Sequence, residues 1–265
     1  MYDEIRRFRS RLDAQETLLG VGVGLSDPAV TEALAASVDF FWIDTEHTHL
    51  SHESVLAHLI AARAGGAPAL VRVPGSGVAH IKPLLDIGAD GIIVPQVRCA
   101  QEVRDVVGAC RYAPLGTRGF GPRRAGGYGR VAGSAEYFAN ANASVHVAVQ
   151  IENREALADL DAIVAIEGLD SIVLGPFDLS IALGYPREIT RPDVMSALQR
   201  IVTTARDAGK YVGTGLGADS ELARQFIRMG VQWLQCGDDY GHMIRSTESL
   251  FADIRTATAV PTRPH

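Results

Sequence analysis

The chain has 265 residues, 47% of them hydrophobic, and a formal net charge of −6 at pH 7. This acidic balance and the absence of Lys- or Arg-rich runs argue against nucleic acid or an anionic membrane as a partner. No apolar stretch approaches the roughly 20 residues that a membrane-spanning helix needs. The three cysteines, Cys99, Cys110 and Cys236, are odd in number and widely spaced. They predict reduced thiols and a cytoplasmic location.

In chain order, the first element is a charged helical pattern over residues 1–16, and eight short aliphatic and β-branched runs follow it. These runs lie at residues 18–24, 39–44, 68–73, 90–96, 145–152, 170–176, 210–216 and 231–237. Amphipathic helical patterns separate most of them, and such alternation indicates a parallel sheet. Eight strands favour a closed (β/α)8 barrel of the TIM type over an open doubly wound sheet.

One connection departs from this alternation. Residues 111–144 form a long Gly- and Arg-rich loop before the fifth strand, and loops of that length tend to be functional or mobile. A last helix is predicted over residues 240–257. Because one such barrel typically needs about 250 residues, residues 1–265 are predicted to form a single domain.

Polar side chains follow four of the predicted strands at the points where they end. They are Asp44, Glu46 and His47 after strand 2, Arg72 in strand 3, Gln150 and Glu152 in strand 5, and Asp178 after strand 6. Catalytic groups of such barrels lie at the C-terminal ends of the strands, and buried ionisable groups need partners or water. The pattern therefore predicts an active site at this end of the barrel.

Each of these residues also has a purely structural interpretation. Asp178 could cap the helix that follows it, Glu152 could pair with Arg154, and Arg72 could be an ion-pair partner. Their convergence on one end of one fold favours a site over packing.

Six ordered motifs lie between residues 42 and 186. They are WIDTEH (42–47), VRVP (71–74), KPLLDIGADGIIVPQV (82–97), RYAPLGTRGFG (111–121), VQIEN (149–153) and GPFDLSIALGYP (175–186). In this order and at these separations they resemble the HpcH/HpaI aldolases, which are metal-dependent class II pyruvate aldolases. The resemblance implies a barrel of the phosphoenolpyruvate/pyruvate-domain type. It also implies a homohexamer with the C-terminal helix exchanged between neighbouring subunits.

The resemblance further implies which residues bind the metal and the substrate. Glu152 and Asp178 match the two carboxylates that bind a divalent metal, which would be Mg²⁺, Mn²⁺ or Co²⁺. Gln150 matches a glutamine beside the metal. The backbone N–H groups of Phe177 and Asp178 match those that hold the substrate carboxylate.

The implied catalytic residues are His47, Arg72 and Asp86. His47 matches the base, Asp86 its charged partner, and Arg72 the arginine that contacts the keto oxygen. A metal on two carboxylates has open positions for an oxoacid, whose keto group it polarises. Imidazole titrates near neutral pH and suits proton transfer, whereas a guanidinium suits enolate charge. The implied activity is making or cleaving 4-hydroxy-2-oxoacids by adding a pyruvate or hydroxypyruvate enolate to an aldehyde.

Other functions remain open at this point. An oxaloacetate decarboxylase or a citrate-synthase-like condensing enzyme would pass through the same enolate at the same site. A non-catalytic oxoacid-binding barrel would have no need of a base such as His47. A Schiff-base aldolase is disfavoured, because Lys82 lies in a helical pattern and Lys210 precedes strand 7, at the wrong end of a barrel.

Two departures from the family pattern, together with the long loop, affect which aldehyde the pocket is expected to accept. Gly24 stands where some pyruvate aldolases have a bulky aromatic residue, which would enlarge the pocket, and Phe177 replaces a common alanine, which would narrow it. Beyond Arg111, the long loop contains Arg118, Arg123, Arg124 and Arg130. We expect Arg123 and Arg124 to clamp an anionic aldehyde, and the alternative is a solvated, flexible loop.

Overall fold

The computed structural model describes residues 2–131 and 133–258, and its centre is a closed barrel of eight parallel strands. The strands are β1 (Leu18–Val23), β2 (Phe40–Asp44), β3 (Ala69–Arg72), β4 (Gly91–Val94), β5 (His146–Ile151), β6 (Ser171–Leu174), β7 (Tyr211–Leu216) and β8 (Trp233–Asp238). Each strand pairs with the next in sequence, and β8 pairs with β1. Each predicted run overlaps one strand, and the predicted (β/α)8 fold is confirmed.

Helices pack around the barrel and at its ends. They are α1 (Asp3–Asp13), α2 (Ala29–Leu34), α3 (His52–Ala64), α4 (Val78–Asp86), α5 (Ala100–Cys110), α6 (Ala135–Ser144), α7 (Arg154–Ala158), α8 (Leu160–Val164), α9 (Pro176–Leu183), α10 (Pro192–Asp207), α11 (Ser220–Met229) and α12 (Asp239–Thr258). Among the helices described here, none is both long enough and apolar enough to cross a bilayer.

Three predicted segments lie outside the alternation of strands and helices: two terminal helices and one long loop. The helix predicted over 1–16 is α1, with residue 1 outside the described residues, and the helix predicted over 240–257 is α12. The loop predicted over 111–144 is too long, because its last ten residues are α6. Ser134 begins this helix by accepting a hydrogen bond from the Tyr137 N–H at 3.0 Å, the usual action of a serine N-cap.

The strands are buried on both faces, which explains their near-continuous apolar sequence. Every residue of β4, β5 and β6 is buried, as expected of strands that pack on helices outside and on side chains inside. The register pairs Ile43 of β2 with Val71 of β3, and Val71 with Ile92 of β4. Branched side chains therefore lie side by side around the barrel, where they pack well.

Aromatic side chains fill the N-terminal end of the barrel beneath α1. Phe8 of α1 packs edge-on against Phe40 and Trp233, with ring centroids 5.6 and 6.2 Å apart. His146 also packs against Phe8, and burial lowers the pKa of its ring to about 3. The imidazole is therefore neutral at physiological pH and acts as a packing group. With this end filled, the polar strand ends at the opposite mouth are left to form a site.

A substitution at Gly213 of β7 tests how tightly this end of the barrel is packed. A Cβ at Gly213 would come within 2.1 Å of Cε2 of the fully buried Trp233. We expect Gly213→Ala to lower the free energy of unfolding by about 1–3 kcal/mol, as overpacked cores do, measured by urea denaturation. The control Gly75→Ala places its methyl group in open space and should change that free energy by less than about 0.5 kcal/mol. Equal stability of the two variants would contradict the tight contact.

Candidate active site

A cavity of about 320 Å³ opens at the C-terminal ends of the strands. Five residues to which the sequence assigned a role in binding or catalysis line it: His47, Arg72, Gln150, Phe177 and Asp178. Glu152 lies directly behind this wall, hydrogen-bonded to Gln150. The structure therefore brings six predicted side chains from four strand ends to one place, the usual position of a barrel active site.

Glu152 is a buried carboxylate just after β5, with 3% of its surface exposed. One oxygen accepts a hydrogen bond from the Gln96 N–H at 2.7 Å, and the other accepts one from Nε2 of Gln150 at 2.9 Å. Burial raises the pKa of Glu152 to about 7; the charge of Asp178 adds to the rise, and the Gln96 hydrogen bond opposes it. A nearby cation would favour the ionised form of such a group.

The turn between β6 and α9 holds Asp178 near Glu152. A Cβ at Gly175 would come within 2.3 Å of Oε2 of Glu152, so only glycine allows this approach. Pro176 begins α9 at a position where its missing N–H is not needed. The N–H groups of Phe177 and Asp178 follow in the first helical turn, where N–H groups lack partners within the helix and bind anions. The turn thus presents a carboxylate and an anion-binding backbone to the cavity.

The oxygens of Glu152, Asp178 and Gln150 fit a divalent cation. Oε1 of Gln150 is buried and makes no hydrogen bond with any described residue, so an unsatisfied acceptor lies beside the carboxylates. Carboxylate and amide oxygens are the hard donors that Mg²⁺ and Mn²⁺ prefer. Within residues 2–131 and 133–258, no group of three or more His, Cys, Asp or Glu side chains could hold a metal. Glu152 and Asp178 would offer two carboxylates and leave coordination positions for a ligand.

Arg72, at the end of β3, is held in the cavity wall by two carboxylates. Its Nε and Nη2 atoms donate to the two oxygens of Asp44 at 2.9 and 2.7 Å. Its Nη1 lies 3.2 Å from Oε2 of Glu46. The register of β2 and β3 places Asp44 directly beside Arg72, so strand pairing forms the ion pair. A bidentate pair holds the guanidinium in one plane, and Arg72 is thus a cation of defined position.

His47 lines the cavity as an exposed imidazole, and the predicted partner Asp86 is far from it. The His47 side chain is 66% exposed, and its Nε2 lies 3.5 Å from Oε2 of Glu46. Asp86 ends α4, and its Oδ1 pairs with Nη2 of Arg118 at 2.9 Å. Within this chain Asp86 lies away from His47, because α4 runs from the cavity to the N-terminal end of the barrel, and the His47–Asp86 pair stays a prediction.

The predicted arginine clamp also lies away from the cavity. Arg124 is only 8% exposed and donates to the backbone carbonyls of Leu59 and Ile87. Arg123 is exposed, and its backbone N–H bonds to the carbonyl of Asp86 at the same end of the barrel. Within this chain Arg124 supports the N-terminal end of the barrel and Arg123 belongs to a solvated loop, and the clamp stays a prediction.

Four polar residues of the cavity were missed from the sequence: Thr48, Gln235, Asp238 and Tyr240. Asp238 ends β8, so the strand-end rule that found Glu152 would also have indicated it. Tyr240 is in the first turn of α12, and a Cβ at Gly24 would lie 3.0 Å from its Cε1 atom. The expectation that Gly24 enlarges the pocket is wrong, because Tyr240 supplies an aromatic ring at that point.

Known proteins match this chain over nearly its whole length. Residues 20–246 match the HpcH/HpaI aldolase/citrate lyase family. A hydroxypyruvate/pyruvate aldolase of Pseudomonas aeruginosa is 38% identical, over 97% of this chain and 96% of its own length. A 4-hydroxy-2-oxo-heptane-1,7-dioate aldolase of Shigella sonnei (strain Ss046) is 36% identical, over 96% and 97%.

The fold agrees with these matches. A crystal structure of an HpcH/HpaI aldolase/citrate lyase family protein from Burkholderia cenocepacia J2315 has a TM-score of 0.88 and 31% identity, covering 94% of this chain and 99% of that one. The matched residues include both carboxylates, Arg72 and His47. This chain belongs to the HpcH/HpaI aldolase/citrate lyase family.

Proposed function

We propose that this protein is a divalent-metal-dependent class II aldolase that makes or cleaves 4-hydroxy-2-oxoacids. Its donor is pyruvate or hydroxypyruvate, reacting as the enolate, and its acceptor is an aldehyde. One observation carries the proposal: the buried carboxylate of Glu152 lies with Asp178 and the paired Arg72 at one cavity. Buried like charges beside a held cation are costly as packing and are typical of functional sites.

The enzyme class follows from the relatives as well as from the site. The chain is a carbon–carbon lyase of the aldolase type, since the two aldolases compared above match it along almost their whole length. His47 and Arg72 both lie at the cavity, which supports acid–base and enolate chemistry over mere oxoacid binding. Aldol chemistry is therefore preferred to the decarboxylase and condensing-enzyme alternatives.

The residues around Glu152 bind the donor and stabilise its enolate. A divalent metal held by Glu152 and Asp178, which we infer to be Mg²⁺, Mn²⁺ or Co²⁺, would supply Lewis-acid polarisation of the keto group. The N–H groups of Phe177 and Asp178 hold the donor carboxylate. Arg72, oriented by Asp44, donates to the keto oxygen and stabilises the charge that develops when a methyl proton leaves.

His47 is the proposed acid–base residue. Its imidazole lies on the cavity wall and is exposed to water, so it passes protons directly or through one water molecule. In cleavage it takes the proton of the 4-hydroxyl group, and in synthesis it returns a proton to the aldehyde oxygen. The carboxylate of Glu46 lies 3.5 Å from the Nε2 atom of His47.

The C-terminal helix and a bare groove on the barrel support the hexamer with exchanged helices. Five apolar side chains of α12 are 47% to 57% exposed: Met243, Ile244, Leu250, Phe251 and Ile254. A largely apolar groove of about 350 Å³ lies between β1 and α11, lined in part by Leu19, Ala223 and Ile227. Since α12 leaves both surfaces exposed within one chain, we infer that α12 of a neighbouring subunit fills the groove.

The thiols and the substrates suit a reducing, aqueous compartment. Cys99, Cys110 and Cys236 are unpaired, and burial raises the pKa of the Cys110 thiol to about 12, which makes it unreactive. Unpaired thiols are typical of the cytoplasm, so a cytoplasmic location is part of the proposal. Its partners are a small oxoacid, a small aldehyde and further copies of the chain.

The enolate step is tested by hydrogen–deuterium exchange at the methyl group of pyruvate. Arg72→Ala should slow exchange by about 10²–10³-fold, the usual worth of one preorganised donor to a developing oxyanion. Exchange is followed by proton NMR in D₂O with Mg²⁺ and without aldehyde. His47→Ala should slow aldol cleavage by about 10²–10⁴-fold. Arg104→Ala, an exposed arginine of α5, is the control, and normal exchange in a folded Arg72→Ala variant would contradict the role of Arg72.

The raised pKa of Glu152 predicts how stability depends on pH without metal. Between its ordinary value of 4.5 and about 7, the folded chain keeps a proton that the unfolded chain releases. The resulting stability is fully present below pH 4.5 and is lost as pH rises through 7. In chelator, Glu152→Gln should therefore be more stable than wild type at pH 8, by on the order of 2 kcal/mol. The two should be equal near pH 4.5, as measured by thermal unfolding.

At pH 8, added metal should make the wild type more stable than Glu152→Gln. Mg²⁺ or Mn²⁺ should raise the melting temperature of the wild type, because a ligand that binds the folded state stabilises it, and should have little effect on Glu152→Gln. Glu53→Gln, an exposed glutamate of α3, should respond as the wild type does. Equal metal stabilisation of wild type and Glu152→Gln would contradict the assignment of Glu152.

The exchanged helix is tested by oligomeric mass. Phe251→Asp places a charge on the apolar face of α12 and should break the hexamer into smaller species, because burying an unpaired charge is costly. Ser249→Asp, two residues away on a different face of the helix, should keep the mass of the wild type. Size-exclusion chromatography with light scattering gives the masses. A monomeric wild type, or an unchanged mass for Phe251→Asp, would rule the exchange out.

A further inference from the structure

Gln235, Asp238 and Tyr240 form a polar surface on the side of the cavity across from Glu152, named here the β8 wall. β8 lies between β7 and β1, whereas Glu152 follows β5 on the other side of the barrel. In the proposed function, the carboxylate and keto groups of the donor are held on the β5 and β6 side. The methyl carbon of the donor then faces the remaining space, and the β8 wall is placed to contact the aldehyde.

Two glycines make room for the β8 wall. A Cβ at Gly22 of β1 would come within 2.1 Å of Oδ1 of Asp238 and 2.7 Å of Nε2 of Gln235. On β7, a Cβ at Gly215 would lie 3.0 Å from Oε1 of Gln235. Both neighbouring strands thus lack the side chains that usually fill a barrel interior, and polar groups from β8 take that space. This arrangement points to a ligand contact, since packing alone favours apolar side chains there.

Hydrogen bonds orient the carboxylate of Asp238. Nε2 of Gln235 donates to Oδ1 of Asp238 at 3.1 Å and to a backbone carbonyl of the same turn at 2.7 Å. The Tyr240 side chain also hydrogen-bonds with Asp238. Burial raises the pKa of Asp238, and the Tyr240 hydrogen bond opposes that rise. A carboxylate offers about four acceptor positions, so Asp238 keeps the capacity to accept from a ligand.

The charged residues around the cavity favour one class of aldehyde over another. Of the described residues that line it, Arg72 is the one arginine or lysine, and it is already paired with Asp44 and Glu46. The predicted arginine clamp lies at the other end of the barrel. An aldehyde with its own carboxylate would therefore be repelled by Asp238, whereas an aldehyde with a hydroxyl group would donate a charge-assisted hydrogen bond to it.

We propose that the β8 wall selects neutral hydroxyaldehydes as acceptors, with Asp238 accepting a hydrogen bond from an acceptor hydroxyl and disfavouring aldehydes that carry a carboxylate. This rests on the proposed aldolase function and names the acceptor class of the same site. In the reaction, the methyl-derived carbon of the enolate bonds to the aldehyde carbon, and the C=O π electrons move to oxygen. The resulting alkoxide takes a proton, which balances the proton lost from the donor, and no redox partner is needed.

Three aldehydes test the proposal, with pyruvate as donor and Mg²⁺ present. Glyceraldehyde and propanal have the same three-carbon chain and differ in hydroxyl groups, whereas succinic semialdehyde carries a carboxylate. The measured quantity is kcat/KM for each aldehyde, followed by the mass of the product. Ratios are taken within each variant, so that a general loss of activity cancels.

The wild type should prefer glyceraldehyde to propanal and propanal to succinic semialdehyde. Asp238→Asn should lower the glyceraldehyde-to-propanal ratio about tenfold, because a hydrogen bond to a charged group becomes a neutral one, and should raise the succinic semialdehyde-to-propanal ratio. Tyr240→Phe should lower the first ratio by a smaller factor, since Asp238 loses one donor that orients it. Asp253→Asn, an exposed aspartate of α12, should leave both ratios unchanged.

Hydrogen–deuterium exchange at the methyl group of pyruvate, measured on the wild type, distinguishes a failure of this inference from a failure of the proposed function. No metal-dependent exchange would overturn the proposed function, and this inference with it. Normal exchange together with identical aldehyde ratios in wild type, Asp238→Asn and Tyr240→Phe would overturn this inference alone. A wild type that prefers succinic semialdehyde to glyceraldehyde would also overturn this inference alone.

Discussion

The burial of a carboxylate just after β5 is the constraint on which the rest of the site depends. Glu152 accepts hydrogen bonds from Gln96 and Gln150, yet its pKa is still raised to about 7, because two hydrogen bonds do not replace the hydration of a full charge. Arg72 neutralises it only in part, since Asp44 holds one edge of that guanidinium and Glu46 lies against its other terminal nitrogen. The charge that remains to be balanced is the physical reason to expect a divalent cation here, and with it enolate chemistry.

The barrel divides the cavity into two sides that are built by different means. On the donor side, the end of β5 and the start of α9 offer carboxylates and backbone N–H groups, held by close packing at Gly175. On the acceptor side, β8 and α12 offer an oriented carboxylate and a phenol ring, in space left by glycines on β1 and β7. Because the two sides come from separate segments, a change in the β8 wall alters the preference among aldehydes without disturbing the groups that bind the oxoacid.

The two ends of the barrel have separate tasks. At the N-terminal end, Phe8, Trp233 and a neutral His146 fill the interior, and Arg124 bonds to backbone carbonyls nearby. Asp86 and its partner Arg118 belong to this end as well. Polar residues there stabilise the fold, whereas those at the opposite mouth leave hydrogen-bonding capacity for a ligand. The exposed apolar face of α12 adds a third surface, suited to another copy of the chain.

The sequence by itself determined the architecture and which strand ends carry polar residues to the cavity. Eight apolar runs, each separated by enough chain for a crossover, are compatible with few folds, and residues two apart on a strand, such as Gln150 and Glu152, must share a face. Contacts between distant segments were decided only by the tertiary structure. Tyr240 fills the space beside Gly24 because β8 closes the barrel against β1. Arg124 and Asp86 point away from the cavity because α4 carries the chain to the other end, and no local pattern reports the direction in which a loop residue packs.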